Sequence, residues 1–133
     1  MLQAMATVTY FAADLNAARR WYSDLLGVGP YFERPGYVEF RVGDFEQELG
    51  LIDSRYAPAE AAPASGGPIL YWHVDDVFTV MERLLALGGE LHQGLTDRGG
   101  GFVTASVTDP FGNVLAIMNN PHYLEILNSR SGP

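Results

Sequence analysis

The chain contains no cysteine. Disulfides, thiolate metal sites and a cysteine nucleophile are thereby excluded, and any chemistry has to use other groups. Basic residues are few as well, 8 against 16 acidic ones, for a formal net charge of −8 over 133 residues. They are scattered rather than clustered, which argues against a nucleic-acid partner, because phosphate binding needs a concentrated basic footprint. The acidic excess serves solubility, and it would also attract a cationic ligand. Long apolar runs are missing too. No stretch approaches the roughly 20 residues of a membrane span, and the start Met1-Leu2-Gln3-Ala4-Met5 lacks the blocks of a secretory leader. A cytoplasmic protein without a membrane partner is expected. What the chain does have is apolar character, at 47% of residues, enough for the core of one domain of this length.

It also repeats itself. The segment from Asp14 to Gly27 has a counterpart from Asp76 to Gly89, 62 residues later. Both open on an Asp suited to cap a helix, carry apolar residues at spacings of three and four, and close on a Gly suited to a C-terminal cap. Leu15, Ala18, Tyr22 and Leu25 thus correspond to Val77, Val80, Leu84 and Leu87. A strand-like run precedes each helix, Thr7 to Phe11 and Ile69 to His73, rich in β-branched and aromatic residues. Three strand candidates follow each: Tyr31 to Arg34, Tyr37 to Val42 and Phe45 to Ile52, then Glu90 to Gly94, Phe102 to Val107 and Val114 to Met118. Asp109-Pro110-Phe111-Gly112-Asn113 predicts a turn before the last strand, and Gly43-Asp44 a shorter one in the first half.

The expected fold is therefore α+β, a single domain of two tandem βαβββ modules. Module one covers residues 6–53 and module two covers residues 68–119. Residues 54–67, rich in Ala, Pro and Gly, form the linker. In the tail at 120–133, His122 to Leu127 suits either a short helix or an exchanged strand.

Three features coincide: a strand followed by Asp-Leu, Trp21-Tyr22 and Leu25-Leu26-Gly27; the recurrence of that block; and Asp109-Pro110-Phe111-Gly112-Asn113 before a final strand. Together they resemble the vicinal oxygen chelate superfamily, which includes glyoxalases, bleomycin-resistance proteins and extradiol dioxygenases. The resemblance covers residues 6–119. It implies curved sheets around a cleft, with helices outside, and a divalent metal held by His and Glu side chains. Counting back from Asp14 and Asp76, the corresponding first-strand positions are Thr7 and Ile69, and the last-strand positions are Gly50 and Ala116. Ile, Gly and Ala offer no donor and a neutral Thr hydroxyl binds weakly, so neither a metal nor another cofactor is expected. A relocated divalent metal on Glu48 and His73 with Glu39 is the alternative.

Strand alternation sorts the remaining side chains. Val8, Tyr10, Leu49, Leu51, Leu70, Trp72, Leu115 and Ile117 should pack under the helices. Thr7, Thr9, Phe11, Glu48, Gly50, Ile52, Ile69, Tyr71, His73, Ala116 and Met118 should face the cleft, a mostly apolar set with few polar groups, as small-molecule pockets tend to be. The candidate ligand-binding residues are His73, Tyr71, Phe11, Glu48, Thr9 and Met118, and no catalytic residue is assigned. His73 could act as an acid or base, or serve as a satisfied structural histidine. Tyr71 and Phe11 could stack on a flat or cationic ligand, or simply fill space. Arg41 and Glu39 share a strand face and suit a surface pair, while His92 and His122 fall outside the cleft set. Tyr22 belongs to the buried stripe of the first helix and Trp21 to its edge.

By resemblance to the bleomycin-resistance branch, the expected protein is a metal-free homodimer binding a small cationic or aromatic molecule in its cleft. The competing reading is a lyase, isomerase or dioxygenase with a displaced metal site. A third is an interaction module whose cleft is filled by its own side chains.

Overall fold

Each half of the chain builds a four-stranded sheet and lays one helix on it. The computed structural model describes residues 1–57 and 68–130. In the first half, β1 (Thr7–Ala12) leads into α1 (Leu15–Leu26), and β2 (Phe32–Arg34), β3 (Tyr37–Val42) and β4 (Gln47–Asp53) follow. The sheet order is β1-β4-β3-β2, with β1 parallel to β4 and the other pairs antiparallel. The second half repeats this with β5 (Tyr71–His73), α2 (Val77–Ala86), β6 (Glu90–Gly99), β7 (Phe102–Thr108) and β8 (Val114–Asn119), in the order β5-β8-β7-β6. The chain divides into two compact units, at residues 1–64 and 65–133. Each holds one βαβββ copy.

The N-terminal caps expected from sequence start both helices, whereas at its far end α2 stops at Ala86 with Leu87 as cap, and Gly88 at φ 100°, not Gly89, takes the left-handed turn. The Asp14 carboxylate accepts from the Ala17 amide at 3.0 Å, and Asp76 accepts from the Thr79 amide at 3.1 Å and its hydroxyl at 3.0 Å, so orphan amides of each first turn find an acceptor. Gly27 closes α1 in the left-handed region, at φ 73°, a conformation cheap only without a Cβ. Tyr22 and Ala18 of α1 are buried with Val38, Phe40, Leu49 and Leu51 of the first sheet. Val77, Met81 and Leu84 of α2 are buried, as are Ala105, Val107, Leu115 and Ile117 of the second. Each large side chain so buried contributes roughly 1.5–3 kcal/mol. Tyr10 reaches Tyr22 with ring centroids 6.1 Å apart, which places the even-numbered residues of β1 on the helix side.

Several strand ends shift by one residue from the sequence expectation, and four boundaries differ by more. Strand β4 starts at Gln47, because residues 43–46 form a four-residue turn with Gly43 at φ 76° and Glu46 at φ 50°. Phe45 is left exposed there. Strand β5 starts at Tyr71, so Ile69 precedes the ladder. Strand β6 runs on to Gly99, through register shifts that absorb its extra length. Of the expected linker, Ser54–Tyr56 forms a single 3-10 turn capped by Asp53, and residues 58–67 lie outside the described residues.

The tail takes the helical alternative as α3 (Pro121–Arg130). Asn120 caps it, its side-chain oxygen accepting from the Tyr123 amide at 3.0 Å. Among the described residues no helix is long and apolar enough to cross a membrane.

Candidate functional site

In the first sheet, cross-strand register assembles three rows on the face turned away from α1. Thr7, Glu48 and Arg41 form one; Thr9, Gly50, Glu39 and Phe32 a second; Phe11, Ile52, Tyr37 and Arg34 a third. The sequence candidates Thr9, Phe11 and Glu48 all stand here, one per row.

The carboxylates of this face are already engaged. Glu48 accepts from the Thr7 hydroxyl at 2.6 Å and lies 3.9 Å from the Arg41 guanidinium. Glu39 accepts from the Tyr37 hydroxyl at 2.8 Å, with Arg41 Nε at 3.7 Å. Arg41 is sandwiched further by Tyr31, whose ring centroid is 3.7 Å from the guanidinium carbon, a close cation–π contact. Arg41 thus lies within ion-pair range of both acids and balances one of their two charges.

Gly50 explains how Tyr37 fits. A Cβ built at Gly50 would lie 2.9 Å from Tyr37 Cε1, 3.0 Å from its hydroxyl oxygen and 3.1 Å from the Thr9 methyl. The Tyr37 ring therefore lies across the glycine, in the space any other side chain at position 50 would take. Burial, reinforced by the hydrogen bond to Glu39 and by that carboxylate's charge, pushes the Tyr37 phenol up to about 12.

A pocket of about 430 Å³ opens beside this ring, lined by Phe32, Arg34, Pro35, Gly36, Tyr37, Ile52 and Tyr56. Its shape depends on the β2–β3 turn. Gly36 stands at φ 81°, and a Cβ placed there would collide with Tyr56 Cε2. The Tyr56 ring is laid on the turn because that atom is missing. Asp53 anchors this corner: its amide donates to the Gly36 carbonyl at 3.0 Å and its carboxylate takes the Arg55 amide and guanidinium. Those bonds, the amide first, hold the Asp53 carboxyl below its usual range.

In the second sheet the face turned away from α2 carries the other three candidates. Tyr71 is paired laterally with Ala116, and His73 with Met118. Both ring nitrogens of His73 are in use. Nδ1 accepts from the Asn120 amide at 3.0 Å, Nε2 lies 3.2 Å from the Asp75 carboxylate, and the ring stacks on Tyr123 at 4.8 Å. An accepting Nδ1 means that the proton of the neutral ring sits on Nε2. Met118 sulfur meets the Asn120 side-chain amide at 3.7 Å. His92, expected outside the cleft set, is exposed but lies on this face, with Nδ1 2.8 Å from the Ser106 hydroxyl. Arg98 Nε donates to the Thr104 hydroxyl at 3.1 Å next to it.

The residues do not fit an inherited metal centre. Ladder register seats Thr9 beside Gly50 and Tyr71 beside Ala116. Thr7, Thr9, Gly50, Ile69, Tyr71 and Ala116 include no carboxylate and no imidazole. Nor, among the described residues, do three His, Asp or Glu side chains gather elsewhere. Of the relocated set, Glu39 and Glu48 lie against Arg41, and His73 accepts the Asn120 amide.

Sequence reasoning missed Tyr37, Arg34, Phe32 and Tyr56. Tyr37 could have been found, since it stands two residues before Glu39 and so shares its face. Tyr56 carries no such signal, because only the fold returns it to the turn at Gly36.

The family model described as Glyoxalase/Bleomycin resistance protein/Dioxygenase superfamily matches residues 4–117. No curated protein matches the sequence. Among solved structures, a glyoxalase-related enzyme from Fulvimarina pelagi is 27% identical with a TM-score of 0.72, over 90% of each chain. A lactoylglutathione lyase from Agrobacterium tumefaciens is 24% identical with a TM-score of 0.70, over 92% of this chain and 98% of that one. A glyoxalase/bleomycin resistance protein from Catenulispora acidiphila is 21% identical with a TM-score of 0.62, over 89% and 100%. The last two attest a shared fold.

Proposed function

Since the chain belongs to the Glyoxalase/Bleomycin resistance protein/Dioxygenase superfamily, we propose that it is a metal-free member which binds a small aromatic molecule against the helix-free face of its first sheet. The observation that carries this reading is the Tyr37 ring lying over Gly50, at a position where the resemblance calls for a metal ligand. An aromatic surface has replaced a coordinating side chain. Phe32, Tyr37 and Tyr56 line the adjoining pocket, and its volume falls in the roughly 300–1,000 Å³ range of small-molecule sites. Phe11 and Thr9 extend the same face, and Tyr71 and Met118 supply apolar surface in the second module. His73 serves this protein by anchoring α3, and Glu48 by holding Arg41 and Thr7 in place.

A cationic ligand at this face would have to compete with Arg41, which lies 3.7 and 3.9 Å from the two carboxylates. Two copies pair through exposed sheet edges: β6 is an edge strand that presents Leu91 and Leu95 to solvent at 64% and 50% exposure, surface that a homodimer would cover. Light scattering at micromolar concentration measures that mass directly.

The deciding experiment is metal analysis of protein purified without chelators, combined with a thermal-shift screen of aromatic compounds before and after EDTA. Sub-stoichiometric metal and ligand shifts indifferent to EDTA are expected. Stoichiometric Ni, Zn, Fe or Mn, lost together with ligand binding on chelation, would instead support a displaced metal site and a lyase, isomerase or dioxygenase.

A further inference from the structure

We infer that the pocket at the β2–β3 turn selects an aromatic carboxylate, with Arg34 as the residue that reads its charge; this presupposes the metal-free binding role and adds the chemical class of the ligand. Arg34 is the one charged side chain among the seven lining residues. It is exposed and, among the described residues, no carboxylate is within ion-pair distance of it. Its neighbours are differently placed. Arg19 pairs with Glu33 on the helix side of the sheet, Arg41 with Glu39 and Glu48, and Arg55 with Asp53. In a chain of net charge −8, this arginine stands beside three aromatic rings with no carboxylate partner among the described residues.

The walls suit a flat ligand. Phe32 and Tyr37 stand with ring centroids 6.4 Å apart, tilted by 57°, and Tyr56 lies over Gly36. Ile52 and Pro35 add aliphatic surface. A one- or two-ring ligand would bury its faces against these side chains while its carboxylate met the planar guanidinium, which pairs with carboxylates in bidentate fashion. Tyr37 is turned elsewhere, its hydroxyl donating to Glu39, and it supplies a ring face to the pocket. The sign of the ligand is thus set by one side chain and its shape by three.

The test is calorimetric titration of the intact chain with a matched charge series, 1-naphthoate, 1-naphthamide and 1-naphthylmethylamine. The carboxylate should bind with a Kd at least about tenfold lower than the amide or the amine, as one charge-assisted hydrogen-bonded pair provides. Arg34→Gln should erase that preference without altering the circular dichroism spectrum, and Arg34→Lys should keep part of it. Tyr56→Ala, at an exposed residue, should weaken all three compounds together. Equal or tighter binding of the amide or amine, or an Arg34→Gln protein that still prefers naphthoate, overturns the carboxylate assignment while leaving aromatic binding intact. Silence from all three compounds overturns both.

Discussion

His73 Nδ1 accepts the backbone amide of Asn120 at 3.0 Å, tying the last residue of β5 to the cap of α3. Asn120 in turn caps the helix through the Tyr123 amide, and Tyr123 stacks back on the imidazole. The three contacts close a loop between strand and helix, so a helix with no buried residue of its own is held at one end. His73→Ala should cost about 1–3 kcal/mol, one hydrogen bond plus a ring stack. Amide exchange should accelerate across residues 121–130 and stay slow in β7 and β8. Uniform acceleration would mean that His73 supports the whole sheet instead.

Gly50 and Tyr37 form a second coupled pair. Gly50→Ala introduces a Cβ 2.9 Å from the Tyr37 ring, and overpacking of this kind costs roughly 1–3 kcal/mol. In a Tyr37→Ala background only the Thr9 methyl, at 3.1 Å, still crowds the new methyl. The double-mutant cycle should therefore show a favourable coupling of about 1 kcal/mol or more, measured by urea unfolding. Strict additivity would show that the ring moves aside freely and does not reserve the space over the glycine.

The parts of this fold legible in sequence were those decided locally. Asp14, Gly27 and Asp76 bound their helices where capping chemistry put them, and period-two alternation sorted Tyr10, Leu49, Leu51, Leu115 and Ile117 onto the helix faces. The parts that were not legible depend on partners distant in the chain. Phe45 resembles the start of a strand, yet the chain reverses through residues 43–46 and needs the left-handed Gly43 and Glu46 to do so. Counting along a strand located Gly50, but a glycine gives no hint of which side chain fills its space. Only the β3–β4 register, pairing Tyr37 with Ile52, brings that ring over it. The pocket is further from view still, because it joins a turn at Arg34–Tyr37 to Tyr56 through the missing Cβ of Gly36.

Asp109 shows how much one buried acid can organise. At 3% exposure, its Oδ1 accepts the Phe111 and Asn113 amides at 2.9 and 2.8 Å, and its Oδ2 accepts the Asn113 side-chain amide at 3.2 Å. Asp109→Ala would leave these donors without acceptors beside β8. A loss of roughly 2–4 kcal/mol is expected, seen as a lowered urea midpoint with an unchanged slope. Asp109→Asn should lose less, since an amide oxygen can still serve Oδ1. An alanine variant of wild-type stability would show that Gly112 and Asn113 make the turn unaided.

Tyr37 provides a titration that reports on its surroundings. Its phenol is raised from 10.0 to about 12, so the folded chain favours the neutral form more than the unfolded chain does. That preference contributes stability below the unfolded value and loses it as pH rises from 10 through 12. Ultraviolet absorbance of phenolate should show a late ionisation near pH 12 that Tyr37→Phe diminishes by one residue. Glu39→Gln removes the acceptor's negative charge and should bring the step down towards the ordinary range, leaving the part due to burial. If the step stayed at its full height in Glu39→Gln, desolvation alone would set it, and the Tyr37–Glu39 bond at 2.8 Å would carry none of the charge coupling assigned to it.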